Sequence, residues 1–347
     1  MSQISGISNK QYLLIQRPNG MPKESDWQQV TNSVVMPGKG QVLVQVTYIS
    51  IDPAMRSWMN EGKSYMEAIA LGDVMRAAGA GRVIWSEDSK FSVGDAVLGA
   101  FGVQEYATLN GEALTKIDIS KFDETAFMGP LGVPGFTAYF GLLEIGKLRF
   151  GETVLVSGAA GAVGSIVGQI AKIKGCRVVG IAGGSAKCDH LVENLGFDAA
   201  IDYKQPDARK QLAKACPNGV DVYFDNTGGE ILDLALGRLA RGARVVVCGA
   251  VSQYNNTDRG NGPKNYMSLL MNRASMHGFV IFDYESRYPE ALHALKGWLS
   301  VGWISSYKDV LTGIDSFPSA LRRMFDGGNV GKMLIKLPAT DASFQSA

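Results

Sequence analysis

The chain has 347 residues, 46% of them apolar, and its 34 lysines and arginines against 33 aspartates and glutamates leave a formal net charge of +1. That balance offers no basic face for nucleic acid and no polybasic anchor for a membrane surface. No apolar run is long enough to cross a bilayer and the stretch from Met1 to Lys10 is polar, so a cytoplasmic protein is expected, and its length favours two domains.

From residue 1 to about 125, short strands and turns dominate. Val42, Val44, Val46 and Tyr48 alternate with Gln41, Gln45 and Thr47, the period of a strand with one buried face, and Pro37-Gly38 and Lys39-Gly40 punctuate its start. Runs at Gly81 to Trp85, Ala96 to Gly99 and Glu105 to Leu109 extend the pattern to a barrel-like β domain.

The stretch Thr153-Val-Leu-Val-Ser-Gly158-Ala-Ala-Gly161-Ala162-Val163-Gly164 reads as an apolar strand, a tight glycine turn and the first turn of a helix. Val163, Ile166, Val167, Ile170 and Ile173 then fall at helical spacing, so the helix buries one face while its first N–H groups point back at the turn. Those donors and the helix dipole favour a phosphate anion, such as a dinucleotide pyrophosphate. The spacing is G-x-x-G-x-x-G, with Ala159 where the usual motif has its first glycine; close strand-to-helix packing also calls for such a turn.

Apolar runs recur at Val154 to Ser157, Arg177 to Ala182, Ala199 to Asp202, Val220 to Asp225, Ala243 to Cys248 and Met276 to Ile281, most of them separated by helix-like segments. Six such runs predict an α/β fold with a doubly wound parallel sheet of six strands, a Rossmann dinucleotide domain. A helix near Phe317 to Phe325 precedes a strand at Met333 to Leu337, which is expected to return to the first domain. The domains are thus read as 1–125 with 315–347, and 126–314. The polar, glycine-containing segment from Asn255 to Asn272 reads as a mobile lid. Cys176, Cys188, Cys216 and Cys248 are scattered without a C-x-x-C pair and read as idle thiols.

Ala-Ala-Gly161-Ala-Val-Gly164, Gly168-Gln169-Ile-Ala171-Lys172 and Pro134-Gly-Phe-Thr137-Ala138-Tyr139 together resemble the medium-chain dehydrogenase/reductase superfamily. Tyr48-Ile-Ser-Ile-Asp52-Pro53-Ala-Met55-Arg56, Val247-Cys248-Gly249-Ala-Val-Ser252-Gln-Tyr254-Asn255 and Gly328-Asn329-Val-Gly331-Lys332 narrow the likeness. They point to the zinc-free alkenal/one oxidoreductases, the branch of prostaglandin reductases, plant double-bond reductases and bacterial curcumin reductases. The resemblance spans nearly the whole chain. It implies a GroES-like β-barrel catalytic domain, a Rossmann domain, a coenzyme held in the cleft between them, and a homodimer.

In NAD enzymes of this fold a carboxylate closes the second strand and bonds the adenine ribose. Here that strand ends Ile181-Ala182-Gly183-Gly184-Ser185, without an acid, so a 2′-phosphate fits and NADP(H) is the expected coenzyme. Lys187 and Tyr203 match the family positions that grip that phosphate, although a lysine early in a helix is commonly just solvated. By the same resemblance Pro134, Thr137, Gly161, Ala162, Val163, Gly164, Gly183, Asn226, Cys248, Gly249, Tyr254, Phe279, Val280 and Asn329 are expected to contact coenzyme. Phe279 and its neighbour Ile281 are equally natural as core residues. No metal is expected, because residues 1–150 contain neither Cys nor His and a catalytic zinc needs such donors.

Without a metal, the substrate must carry its own activation, which a conjugated carbonyl supplies. Hydride would add to the β-carbon of a small enal or enone, and a donor aimed at the carbonyl oxygen would stabilise the enolate. Tyr254, after the fifth strand, is the candidate donor; a loop tyrosine also serves as an apolar plug with its hydroxyl in water. Tyr48, the other catalytic-site candidate, is expected with Asp52-Pro53 to shape the pocket from the catalytic domain, and packing alone accounts for it equally well. Many relatives have a tyrosine after Asp-Pro where this chain has Ala54, which bears on substrate range. Two other functions remain open: a zinc-free NADPH quinone reductase, and a nucleotide-binding protein without turnover.

Overall fold

The apolar runs after Gly151 form one parallel six-stranded sheet in the computed structural model, which describes residues 7–62, 64–258 and 262–338. The strands are Thr153–Ser157, Arg177–Ala182, Ala199–Asp202, Val220–Asp225, Leu239–Val247 and Ser275–Gly278. Their spatial order is third, second, first, fourth, fifth, sixth, so the winding reverses between the first and fourth strands. At such a reversal the connecting loops leave in opposite directions and open a crevice at the carboxyl ends. Val154, Leu155, Val156, Val222, Tyr223 and Phe224 on these two strands are all buried, as a sheet covered on both faces requires.

The fifth strand begins at Leu239, earlier than its apolar run suggests, and ends at Val247, one residue before Cys248. The sixth stops at Gly278, not at Ile281. Its last partner is Val247 and it lies at the sheet edge, so no ladder extends beyond Gly278. Phe279 and Val280 therefore stand outside any strand, and Ile281 opens a 3₁₀ turn over Ile281–Arg287.

The chain divides into two compact units. The first holds the described residues within Met1–Met128, Lys308–Gly328 and Met333–Ala347; the second comprises Gly129–Tyr307 and Asn329–Lys332. The first unit is built on an antiparallel sheet around Gln41–Ser50, which pairs with Gly79–Ser86, Tyr106–Asn110 and Lys332–Lys336. Its core gathers Val42, Val44, Val46, Met55, Val97, Phe101, Phe317 and Ile335.

The sequence pattern misses several strands of this unit. Ser8–Leu14 pairs with Trp27–Ser33 in a separate two-stranded sheet, and Lys308–Thr312 flanks Lys332–Lys336. Trp27–Ser33 and Lys308–Thr312 are polar and largely exposed, so neither shows an apolar period. Asn9 fastens the first of these sheets, donating to the Tyr106 carbonyl at 2.9 Å. Among the described residues, no helix is long and apolar enough to cross a membrane.

Candidate functional site

The glycine turn takes its shape from backbone constraints. Gly158 has φ of +56°, and its carbonyl accepts the Gly161 N–H at 2.9 Å, closing the turn. Gly161 then caps the helix Ala162–Ile173 with extended backbone and no side-chain cap, and the Ser165 N–H reaches back to the Gly161 carbonyl at 3.1 Å. The N–H groups of Ala162, Val163 and Gly164 precede that bond and lie at the positive end of the helix dipole. A Cβ at Gly164 would overlap the Gly158 carbonyl and stand 2.8 Å from the Ala159 Cα, so only glycine lets helix and turn meet. A cradle of backbone donors with no side chain in it fits a dinucleotide pyrophosphate.

The turn is also held from the end of the chain. Gly331 donates its N–H to the Ala160 carbonyl at 2.7 Å, and the Asn329 side-chain amide bonds the Gly331 carbonyl at 2.9 Å. Asn329 is thereby placed beside the turn.

A buried carboxylate organises the sheet reversal. Asp225, 1% exposed, accepts on one oxygen from the Ser157 hydroxyl (3.0 Å), the Tyr223 hydroxyl (2.7 Å), and the N–H groups of Thr227 (3.0 Å) and Gly228 (2.9 Å). A buried carboxylate is stable only with such a set of donors. Burial, with the Asp225 charge added, pushes the Tyr223 phenol well above its usual range, so it stays a donor. Asn226 then spans the reversal, its amide donating to the Ser157 carbonyl at 2.7 Å.

The loop after the fifth strand is fastened to the same place. The Cys248 and Gly249 N–H groups bond the Asp225 carbonyl at 2.9 and 3.1 Å, Val251 bonds Asn226 at 3.2 Å, and the Ser252 hydroxyl bonds the Thr227 carbonyl at 2.6 Å. This lacing sets Tyr254, which is half-buried, with its hydroxyl accepting the Ala250 N–H at 3.3 Å. A Cβ on Gly249 would come within 3.1 Å of that hydroxyl, so glycine here clears the phenol. The Cys248 thiol is pushed up to about 12, chiefly by burial, and is un-ionised at neutral pH.

A second cluster lies at the end of the second strand. Gly184 has φ of +94° and donates its N–H to Asp202 at 2.9 Å. That bond, with those from Lys204 and Gln205, holds the Asp202 carboxyl below the usual carboxylate range. A carboxylate thus does stand near the strand end, from the neighbouring strand, but it is committed to two backbone N–H groups and the Gln205 side-chain amide. A Cβ on Gly183 would lie 3.0 Å from the Tyr203 ring and 2.9 Å from the Lys204 stem, so both side chains fold over Gly183. Lys187 sits in the first turn of the helix Ser185–Glu193.

The remaining expected residues lie elsewhere. Pro134 and Thr137 belong to the helix Val133–Phe140, which packs on Ala162–Ile173; the Thr137 hydroxyl bonds the Val133 carbonyl at 2.7 Å. Phe279 packs on Gly141 beside Phe224, and its neighbour Val280 takes the Asp283 N–H on its carbonyl at 3.1 Å. Tyr48 is in the first unit, against Ala80, Met128 and Leu334. There Arg56, from the Asp52-Pro53 motif, is buried and donates to the carbonyls of Pro18 and Gly20 at 3.0 and 3.2 Å, a structural brace. Helix Met267–Asn272 occupies the end of the segment read as a lid, and residues 259–261 of that segment lie outside the described residues. Residues 1–6, from the polar opening stretch, lie outside them as well.

Sequence reading missed the Asp225 knot and the Gly331–Ala160 tie. The first has a signal, an acid ending the apolar run Val220 to Asp225. The second has none, because it joins backbone atoms distant in the chain.

Two family models match the chain: one described as the N-terminal domain of oxidoreductase over residues 10–117, the other as zinc-binding dehydrogenase over residues 162–297. An NADPH-dependent curcumin reductase of Escherichia coli (strain K12) is 39% identical over 338 residues, covering 96% of this chain and 98% of the relative. This chain belongs to the medium-chain dehydrogenase/reductases, in the alkenal/one oxidoreductase branch. Within that branch, a 2-alkenal reductase (NADP(+)-dependent) of Nicotiana tabacum is 41% identical over 336 residues, covering 95% of this chain and 97% of the relative. The crystal structure of CurA in complex with NADPH from Vibrio vulnificus superposes with a TM-score of 0.91 at 40% identity, over 95% of this chain and 100% of that one. Although the second family model is named for zinc, no group of three or more His, Cys, Asp or Glu among the described residues is placed to hold a metal ion.

Proposed function

We propose that this oxidoreductase reduces the C=C bond of α,β-unsaturated aldehydes and ketones with NADPH and without zinc. The observation that carries the reading is the lacing of the Tyr254 loop to the Asp225–Thr227 segment, beside a turn built to take a pyrophosphate. NADP(H) is the coenzyme of this branch member, and its bound reduced nicotinamide supplies the hydride, which adds to the β-carbon of the substrate.

Each residue then has a defined task. The N–H groups of Ala162, Val163 and Gly164 hold the pyrophosphate, while Asn226, Cys248, Gly249 and Asn329 border the path of the dinucleotide. Lys187 and Tyr203 grip the 2′-phosphate over Gly183, where the nearby Asp202 carboxylate is engaged by the Gly184, Lys204 and Gln205 nitrogens. Pro134, Thr137, Phe279 and Val280 are assigned to the nicotinamide side. The Tyr254 hydroxyl donates to the substrate carbonyl oxygen as negative charge develops there, and accepting the Ala250 N–H polarises that O–H and makes it the stronger donor. The α-carbon takes its proton afterwards. Tyr48 is assigned to the substrate side, as a wall and not a proton carrier. Residues 1–150 hold no Cys or His, so the soft donors a catalytic zinc requires are missing from that part of the chain. The first unit is proposed as the catalytic domain and the second as the coenzyme domain.

NADPH oxidation measured with enals, enones and quinones, each enal and enone beside its saturated analogue, tests the reading. Turnover is expected with the conjugated alkenes and not with their saturated counterparts. Turnover with quinones alone would replace the proposal with quinone reduction, and coenzyme binding with no turnover on any acceptor would leave a binding protein.

A further inference from the structure

The dinucleotide helix carries a buried glutamine that the chemistry does not use. Gln169, 5% exposed, stands two turns past the glycine cradle. Its side-chain amide pairs with the Ser305 backbone as a strand would: the Ser305 N–H donates to the Gln169 oxygen at 2.7 Å, and the Gln169 nitrogen donates to the Ser305 carbonyl at 3.1 Å. The same nitrogen also bonds the Ser165 carbonyl at 3.0 Å, in the first turn of that helix.

Ser305 leads to Tyr307, whose carbonyl accepts the Lys332 N–H at 2.9 Å. Gly331, with φ of +74°, lies so close to Tyr307 that a Cβ would overlap the Tyr307 carbonyl, and its own N–H bonds the Ala160 carbonyl of the turn at 2.7 Å. A continuous path therefore runs from Gln169 through Ser305 and Tyr307 to Gly331, and back to the turn two residues before the first cradle N–H group.

We infer that Gln169 is a positioning residue for the coenzyme. It fixes the segment 304–307, which seats Gly331, which in turn holds the Ala160 carbonyl and aims the N–H groups of residues 162–164. Polar atoms this deeply buried must be paired, and an unpaired amide would cost more than the pairing gains. Hydrophobic packing alone would fill the same space with leucine; the choice of glutamine makes sense where the position of Ser305 must be set. The inference rests on reading the turn as the pyrophosphate seat.

The path makes a prediction specific to its mechanism. Gln169→Met, close in volume but unable to pair, should weaken NADPH and NADH alike, by about tenfold in KM, with kcat changed less than about twofold. Equal loss for both coenzymes separates it from a residue reading the 2′-phosphate. Because coupling between sites is reciprocal, NADPH should slow hydrogen exchange at the Ser305 amide in the wild-type protein, and that protection should vanish in the variant. An unchanged KM for both coenzymes, or a lowered melting temperature with KM intact, would reduce Gln169 to a packing residue. The wild-type exchange measurement decides the matter even if the variant fails to fold: no change at Ser305 under saturating NADPH overturns the inference. Wild-type protein that does not bind NADPH at all would instead sink the underlying reading of the turn.

Discussion

The glycine turn at residues 158–164 follows the first strand, at the sheet reversal, the tyrosine loop at residues 248–254 follows the fifth strand, and the two are encoded differently. The turn works through what is missing: Gly158 supplies a left-handed backbone, and Gly164 leaves out a Cβ that would overlap the Gly158 carbonyl. The loop works through what is present, a lacing of bonds from Cys248, Gly249, Val251 and Ser252 to residues 225–227. Backbone requirements permit few residue types, so they leave a local mark in the sequence. Lacing between segments leaves its partners far apart in the chain.

That contrast predicts separable failures. The largest effect is expected in the loop: Tyr254→Phe should lower kcat by about 10²-fold, well beyond any loss of coenzyme affinity, measured by steady-state kinetics and fluorescence titration. Unchanged turnover would remove the phenol from the chemistry.

In the turn the loss should fall on binding. Gly164→Ala forces about 2 kcal/mol of overpacking into the cradle, which taken from coenzyme affinity is about thirtyfold in Kd. Titration showing wild-type affinity would mean that the pyrophosphate does not rest there. Lys187→Ala should be milder and selective, about tenfold weaker for NADPH and nearly neutral for NADH, as expected on losing one charge-assisted bond. Equal losses would show that this lysine does not discriminate the two.

The smallest effect is a silence. Burial pushes the Cys188 and Cys216 thiols up to about 11 and Cys248 to about 12, so at pH 8 each is almost wholly protonated and unreactive. Mass spectrometry after iodoacetamide treatment of the native protein should find these thiols unmodified and activity retained. Rapid labelling of Cys248 would show that the root of the tyrosine loop opens in solution.

The same division explains what the sequence made legible. The inner parallel strands and the helix Phe317–Phe325 stand out because both faces or one stripe must be apolar, and the pattern is local. The strands Trp27–Ser33 and Lys308–Thr312 carry no such pattern, being mostly exposed at sheet edges, and went unseen. The end of the sixth strand was overrun for a related reason: Phe279-Val280-Ile281 is as apolar as a strand, but the ladder with its neighbour among the described residues ends at Val247. In the site, Gly161, Gly164 and Gly183 could be picked out from their types and spacing, whereas the task of Asp225 depends on donors from Ser157 and Tyr223 that only the folded sheet brings to it.

Asp225 has a bearing on any attempt to redesign this protein. One oxygen of its carboxylate fixes both Ser157, from which the turn departs, and Gly228, where the next helix begins, while its backbone carbonyl anchors the root of the tyrosine loop. A loop grafted from a relative to alter substrate choice would inherit its aim from Asp225 and the two residues after it. Transplants that carry residues 225–228 together with 248–254 should keep their register, and those that exchange the loop by itself should lose it.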